Sequence, residues 1–566
     1  MSVTQRLVIT AAAVLAAAFL LILLPLPERP TAMPQPSGVP ATAAGAYHIH
    51  TDRSDGSGSP EDVAAAAARA GLQFIILTDH GDGTRAPDPP QYRSGVLVID
   101  AVELSTARGH YIAMGMAQTP YPLRGDPRDV IEDVRRLGGF GVVAHPDSSK
   151  PSLQWHDWDS PFDAIEWLNA DTEWRDEGPL QLARALLQYP FRPVETLGSL
   201  LDRPEATLAR WDALTQHRPV VALAGADAHA RAGWMDEDAN GYRGGRFLKI
   251  PSYEASFRTF AMRVSIERPL APPGDAAVAA AHIIAAITSG RVYSAIDAMA
   301  SPAALEFSAA SGNRAARQGE ILAAGAEPLS FVARANGATG GVIVLRKDGH
   351  ILTQHPLPEL RFESTAGSGT YRIEVYLARG PGQPPVPWMV SNPIYVRPAG
   401  WGQAAASAPP AMTDRWGIQG GPWHLEKDAA STAQVSQASP PEGPAAFTYR
   451  LGSGERAGQY AAMVISVGNG LTGRTGLAFR ARASQPMRIS IQARRPRSGD
   501  RWQRSIYLDT TLRDISVPFG DLTPVGATTA AFDPSLADTV LFVADMTNAL
   551  PGSTGTFSIH DLRVER

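Results

Sequence analysis

From Gly45 to about Met299, short apolar runs alternate with stretches of helical pattern. Seven runs read as strands: AYHIH, FIILT, VLVIDAVEL, YIAMGM, FGVVAH, DAIEWL and VVALAG. Between them, Glu61 to Gly71 is an Ala-rich helix, with Ser59 as its N-cap and Pro60 at its first position. Asp126 to Gly138 reads as another. Strands alternating with helices predict parallel pairing through right-handed crossovers. Seven such strands predict a closed or nearly closed barrel, with its chemistry at the C-terminal ends of the strands.

Around Ser301 the texture changes. Ala304 to Arg397 carries short alternating runs such as LSFVARA, GGVIVLR and YRIEVYLA between Gly-rich turns, which predicts a small all-β, Ig-like sandwich. Ala399 to Met412 is rich in Ala, Pro and Gly and reads as linker. Beyond it come GLAFRARA, RISIQARR, RSIYLD, TVLFVAD and TFSIHDLRV, evenly spaced as in a jelly roll. The expected organisation is multidomain: 1–45 as anchor and spacer, 46–300 as barrel, 301–398 as Ig-like sandwich, 399–420 as linker and 421–566 as jelly roll.

The N-terminal pattern bears on location. Leu7 to Leu24 holds no charge and approaches the roughly 20 residues that cross a bilayer. Arg6 precedes it, which favours an N-terminus inside and the remainder outside. A retained signal anchor and a cleaved signal peptide are both open readings, so the expected location is membrane-anchored facing the periplasm or exterior, or secreted. The Pro-rich stretch Pro25 to Pro40 reads as a spacer. A net charge of −5 offers no broad basic surface, so specific nucleic-acid binding is not expected. The chain has no cysteine, which excludes thiol catalysis and zinc fingers.

Of the 13 histidines, six fall at the ends of strand-like runs in the first domain. His48 and His50 are two apart on a strand, so their imidazoles share a side. Asp55 follows in a polar turn. His80 lies just past FIILT, and Glu103 ends VLVIDAVEL. A carboxylate near a barrel interior is costly unless it binds a cation, and its two oxygens can bridge two of them. His110 opens the fourth run, His145 closes the fifth before Pro146, and Asp227 and His229 are again two apart past the seventh. His156 and His217 lie outside these positions and read as surface or packing residues.

The successive segments YHIHTDRSDGSGS, ILTDHGD, VELST, VVAHP and GADAHA resemble the motifs of the PHP (polymerase and histidinol phosphatase) superfamily, across roughly residues 45 to 300. The branch they resemble is secreted or anchored and includes carbaryl hydrolases. The resemblance implies a distorted (β/α)7 barrel with two or three divalent transition metals. One metal would take His48, His50, Glu103 and Asp227. A second would share Glu103 and take His145 with His110, and a third would take Asp55, His80 and His229. An all nitrogen and oxygen set suits zinc, manganese or iron. The implied activity is phosphoester hydrolysis by metal-activated hydroxide. Glu103 and Asp227 would be essential, and Arg53 is placed to hold a phosphate oxygen.

Two other functions fit the same residues. A carboxylic-ester or carbamate hydrolase would use the same metals. An envelope glycan-binding or scaffold protein would keep the barrel without its chemistry. The last segment resembles carbohydrate-binding modules, with Trp416, Trp423 and Trp502 available to meet sugar. The expected partners are a small-molecule or glycan-linked phosphate ester, carbohydrate at the C-terminal domain, and the membrane through the N-terminal segment.

Overall fold

The computed structural model describes residues 2–23, 25–34, 38–233, 247–267, 270, 275–325, 327–337, 340–365, 367–398, 401, 415–417, 422–437, 444–454, 458–496, 498–526 and 528–565. The chain is mainly β and forms two compact units. The first comprises Met1–Gly81, Pro87–Ala117 and Val134–Gln403. The second comprises Asp82–Ala86, Gln118–Asp133 and Ala404–Arg566.

The first unit opens with helix α1 (Val3–Leu23). The side chains of residues 3, 7 and 17–23 lie outside the described residues. Among the described residues, no helix is long and apolar enough to cross a membrane. The expected spacer is tied down rather than free where it is described. Thr31–Ala32 pairs in parallel with Ala300–Ser301, and Met33 is buried among the sandwich residues Phe307 and Trp388. Asn336 also donates its side-chain amide to the Pro34 carbonyl at 3.0 Å, and Gln188 to the Pro25 carbonyl at 2.9 Å.

The strands that carry the site are β1 (Thr42–Tyr47), β2 (Phe74–Leu77), β3 (Val96–Asp100), β4 (Val102–Thr106), β5 (Gly109–Met114), β6 (Phe140–Val143), β7 (Ala164–Asn169) and β8 (Val221–Gly225). They fall into two sheets. One contains β1, β2 and β3, all parallel. The other runs β8, β7, β6, β5, β4. A seam joins the sheets where the Ala226 N–H donates to the Tyr47 carbonyl at 3.0 Å and the His50 N–H to that of Ala228 at 3.0 Å. A second seam forms where the Ala101 N–H donates to Leu77 and the Glu103 N–H to Asp79. Alternation along β2 separates two cores. Phe74 and Ile76 join Tyr47, Leu97 and Met114 inside, while Ile75 and Leu77 pack outward with Val63 and Ala67 of helix α2 (Pro60–Arg69). Ser59 and Asp62 form a capping box at the start of α2.

Two expectations change here. VLVIDAVEL is not one strand: it breaks at Ala101 into β3 and β4, which belong to different sheets. And pairing is not parallel throughout, because β5 runs antiparallel to both β4 and β6. Only Ala107 and Arg108 separate β4 from β5, which leaves room for a hairpin but not for a crossover.

Helices α3 (Pro127–Arg136), α4 (Ala170–Arg175), α5 (Pro179–Gln188), α6 (Pro193–Gly198), α7 (Glu205–Thr215), α8 (Tyr253–Thr259) and α9 (Ala276–Thr288) complete the helical set among the described residues. The β1–β3 sheet continues through Ala261–Ser265 and Val292–Ala295 into Met389–Ser391 and Gly369–Tyr376. The segment after Ser301 therefore shares hydrogen bonds with the strands before it. It adds a four-stranded sheet over a core that includes Phe307, Phe331, Tyr371 and Trp388.

The expected linker 399–420 falls mostly outside the described residues. The second unit is a sandwich of two six-stranded sheets. Of the tryptophans offered as sugar contacts, Trp502 is buried in its core, beside Phe532, and its indole N–H donates to the Ala530 carbonyl at 2.7 Å. Trp423 packs on Phe542. Apolar burial has claimed the Trp502 ring, while Trp423 is half-buried against the same core. The Trp416 side chain lies outside the described residues.

Candidate metal centre

The seam between β1 and β8 builds the centre of the site. Ile49 and Ala228 form a parallel bridge. These are the middle residues of His48-Ile49-His50 and Asp227-Ala228-His229, so the bridge sets the two motifs side by side in register. The side chains flanking each bridge residue point to one side. The backbone is bent to achieve this. His48, His145 and Asp227 have φ of 61°, 29° and 42°. Left-handed conformations cost these residue types on the order of 1–3 kcal/mol each and persist only where surrounding contacts enforce them.

Glu103 is the hub of the cluster. It is the second residue of β4, where it begins a strand rather than ending one. Its Oε1 lies 2.7 Å from His110 Nδ1 and 3.0 Å from His145 Nε2. Its Oε2 lies 3.2 Å from His50 Nε2, 3.3 Å from His48 Nε2 and 3.3 Å from His80 Nδ1. Asp227 Oδ1 stands 3.3 Å from His48 Nε2 and 3.4 Å from His50 Nε2. Asp55 completes the other end, with Oδ1 3.4 Å from His50 Nδ1 and Oδ2 3.3 Å from His229 Nε2 and 3.6 Å from His80 Nε2. The structure thus brings nine sequence-selected residues into one continuous cluster. Within it, groups of three or four converge closely enough to share an ion: His50, Asp55, His80 and His229; His48, Glu103 and His145; His48, His50 and Asp227; and His80, Glu103 and His110.

Arg53 is not among them. It pairs with Asp88, and its guanidinium lies 3.6 Å from Asp100. Two carboxylates engage it away from the ligand atoms.

The cluster fits a cation. Ligand atoms about 2.1 Å from a common centre stand roughly 3.0–3.4 Å apart, the range seen around His50 and Asp227. Both ring nitrogens of His50 are buried without a hydrogen-bond partner. Burying polar atoms so is costly unless something else satisfies them, and here three carboxylates face them. The electrostatics agree. Burial opposes ionisation of Glu103, but the imidazoles of His80, His48 and His110 outweigh it and hold the carboxyl well below the usual range. Burial likewise opposes ionisation of Asp227, and His48 and His50 overcome it. In turn burial disfavours the charged form of His145, yet Glu103 raises it above its ordinary value. Such a site holds anionic oxygens ready for positive charge.

Backbone and buried carboxylates fix the imidazoles. His145 Nδ1 faces the Leu153 carbonyl at 3.2 Å and His229 Nδ1 faces the Asp227 carbonyl at 2.9 Å. A carbonyl only accepts, so each Nδ1 carries the proton and each Nε2 turns its lone pair to the site. Asp79 secures the loop that presents Asp55, accepting the Thr51 N–H at 2.7 Å, the Thr51 hydroxyl at 2.7 Å and the Ser54 hydroxyl at 2.6 Å. Tyr253 donates its hydroxyl to the His50 carbonyl at 2.8 Å.

The residue that sequence reasoning missed is Glu166, in β7. It is fully enclosed and accepts four hydrogen bonds. Its Oε1 takes the Tyr47 hydroxyl at 2.6 Å and His48 Nδ1 at 2.7 Å. Its Oε2 takes the His145 N–H and the Asn169 amide, both at 2.7 Å. One carboxylate therefore sets the tautomer of His48 and the backbone of His145. Its signal was present in DAIEWL: a single acid in the middle of an apolar strand requires partners.

No family model matches the chain, and no curated protein matches it. Among solved structures, the chain is similar to a two-domain protein containing a predicted PHP-like metal-dependent phosphoesterase from Bacteroides vulgatus, at 15% identity and a TM-score of 0.30, covering 65% of this chain and 99% of that one. It is also similar to the family 11 carbohydrate-binding module of a cellulosomal cellulase of Clostridium thermocellum, at 14% identity and a TM-score of 0.22, covering 27% of this chain and 93% of that one. Both likenesses are slight, and the chemistry of the site stands on its own geometry.

Proposed function

We propose that this chain is a metal-dependent phosphoesterase, holding two or three divalent transition metals and acting outside the cytoplasmic membrane on a small-molecule or glycan-linked phosphate ester. The observation that carries the reading is the continuous cluster of six imidazoles and three carboxylates, centred on the buried Glu103. The location rests on the apolar run Leu7 to Leu24. Zinc, manganese or iron bound there would acidify water and neutralise charge on phosphoryl oxygens.

The chain's own residues supply position and access. Glu103 offers one oxygen to each side of the cluster. His48, His50 and Asp227 form its enclosed floor. His80 and His229, with side chains 33% and 23% exposed, form its open side, where an ester would enter. Glu166 keeps the floor in register.

The test is hydrolysis by metal-loaded protein of an aryl phosphate beside an aryl ester and an aryl carbamate, with and without chelator. Chelator-sensitive phosphatase activity that Glu103→Ala and Asp227→Ala both abolish is expected. Ester or carbamate cleavage with no phosphatase activity would transfer the same site to the other hydrolase class. Bound metal with no hydrolysis of any substrate would refute both.

A further inference from the structure

His80 and Gly81 pair in parallel with Glu103 and Leu104 of β4, and the chain then runs into Asp82–Ala86, which folds with the second unit. There it is laced to a second loop. The Asp82 carbonyl accepts the Leu123 N–H at 2.9 Å, and the Gly83 carbonyl accepts the Thr119 N–H at 2.9 Å. Gln118 Nε2 donates to the Thr84 carbonyl at 2.7 Å. The Asp82 carboxylate accepts Arg124 Nη2 at 3.0 Å and the Thr84 hydroxyl at 2.6 Å. Backbone and side chain together tie the segment that follows a metal-ligand candidate to residues 118–124.

Residues 118–133 are in turn seated on the sandwich. Asn548 Nδ2 donates to the Pro122 carbonyl at 3.3 Å, and Asn548 Oδ1 accepts the Ser505 hydroxyl at 3.1 Å. Tyr121 is buried beside Tyr507, with ring centroids 6.4 Å apart. Arg488, on the strand Met487–Arg494, has a wholly buried side chain. Its Nε donates to one oxygen of Asp133 at 2.6 Å and its Nη2 to the other at 3.2 Å. It also stands 3.1 Å from Glu132 and 3.5 Å from Asp129. Arg504 pairs with Asp129 too. Asp129, Glu132 and Asp133 share one face of α3 at i, i+3 and i+4. A bidentate guanidinium fixes its carboxylate in direction as well as distance.

We infer that the C-terminal sandwich positions His80 for metal binding, with Arg488 and Asn548 holding residues 118–133 and these holding the loop that begins at Asp82. The inference rests on the proposal that the cluster holds metal. His80 is the imidazole with most need of such support. Its side chain is 33% exposed, the highest of the six. The rings of His48, His145 and His229 are oriented by Glu166 or by backbone carbonyls. Among the described residues, the His80 nitrogens face Asp55 and Glu103, themselves members of the cluster. Its aim therefore follows its backbone, and a ligand must be held within about 0.5 Å of its productive place. Arg488 and Asn548 are positioning residues, acting through the loop without reaching a ligand atom.

Cobalt(II) is the probe, because its visible absorption reports the ligand geometry of each bound ion. Full-length native protein, Arg488→Ala, Asn548→Ala and Arg494→Ala would be titrated with cobalt(II) against a competing chelator, with the fold followed by circular dichroism. Arg494 lies on the same strand as Arg488 but pairs with Glu426 at 2.7 Å, so its loss perturbs the sandwich away from residues 118–133. Removing the direct partner of a ligand weakens binding by about 10–100-fold, and an indirect one should cost less. In Arg488→Ala and Asn548→Ala, one ion bound at least about fivefold more weakly, with altered absorption, is expected, and Arg494→Ala should match the native chain. If Arg488→Ala does not fold, Asn548→Ala, which removes one neutral side chain, decides the matter. Native affinity and absorption in each folded variant, or an equal loss in Arg494→Ala, would overturn the positioning role and leave the metal centre standing. A folded native chain that binds no cobalt would overturn the metal centre and this role with it.

Discussion

Gly225 stands where a Cβ would lie 2.0 Å from Oε1 of Glu166. The last residue of β8 must therefore be bare for the carboxylate of β7 to reach Tyr47 and His48. Gly225→Ala is expected to displace Glu166 and to destabilise the fold by about 1–3 kcal/mol through overpacking. Metal affinity should fall with it. A chelator-competition titration beside a denaturation curve reads both effects, and an unchanged affinity would show that Glu166 has room to move without consequence.

Glu166 itself should matter for the metal without touching it. Removing the partner that orients a ligating imidazole typically weakens metal binding by about 10–100-fold. Glu166→Ala is expected to do so, and Glu166→Gln, which can still accept at one oxygen, should lose less. Equal affinities in the native and Ala proteins would remove Glu166 from any positioning role.

A pH-dependent stability should come from Glu173 in α4. Burial, only partly offset by the Asp202 N–H donated at 2.6 Å, pushes its carboxyl up to about 9. Between the unfolded value near 4.5 and 9, the folded chain holds a proton that the unfolded chain releases. Stability therefore falls as pH rises through this window, by about 1.4 kcal/mol per pH unit at most. Glu173→Gln keeps an acceptor for the Asp202 N–H and removes the proton. Urea midpoints measured from pH 5 to 8 should decline less steeply in Glu173→Gln than in the native chain. Parallel declines would assign the pH dependence elsewhere.

Glu374 is the opposite case. Burial opposes its charge, but Arg372, Arg203 and Arg346 hold the carboxyl far below its ordinary value. Its contacts to their guanidinium groups are 2.9, 2.9 and 2.7 Å. The contribution is present above about pH 4.5 and is lost as pH falls toward the depressed value. Breaking such a pair from one side costs about 3–5 kcal/mol, because buried charge is left uncompensated. Glu374→Ala should lower the unfolding midpoint of the first unit accordingly, and a loss below 1 kcal/mol would mean that water reaches the arginines.

Much of the cluster was legible because its chemistry obeys local spacing. His-x-His and Asp-x-His at the ends of apolar runs require only strand periodicity, and the Ile49–Ala228 bridge then aligns them. What spacing could not show was long-range closure. Glu166 lies 118 residues from His48 in sequence and meets it at 2.7 Å. The break at Ala101 was invisible because VLVIDAVEL holds no glycine or proline to mark it. Met33 in a proline-rich stretch gave no sign of the pocket that buries it. Trp502 showed an aromatic ring but not which face of its strand would be inside.

The most direct measurement is elemental analysis of purified full-length protein supplied with zinc or manganese, beside Glu103→Ala. Two or three ions per chain, falling by at least one in the variant while both proteins remain folded, is the expected result. Folded native protein without stoichiometric metal would contradict the central claim, because the six imidazoles and three carboxylates would then be a buried polar network and not a metal centre.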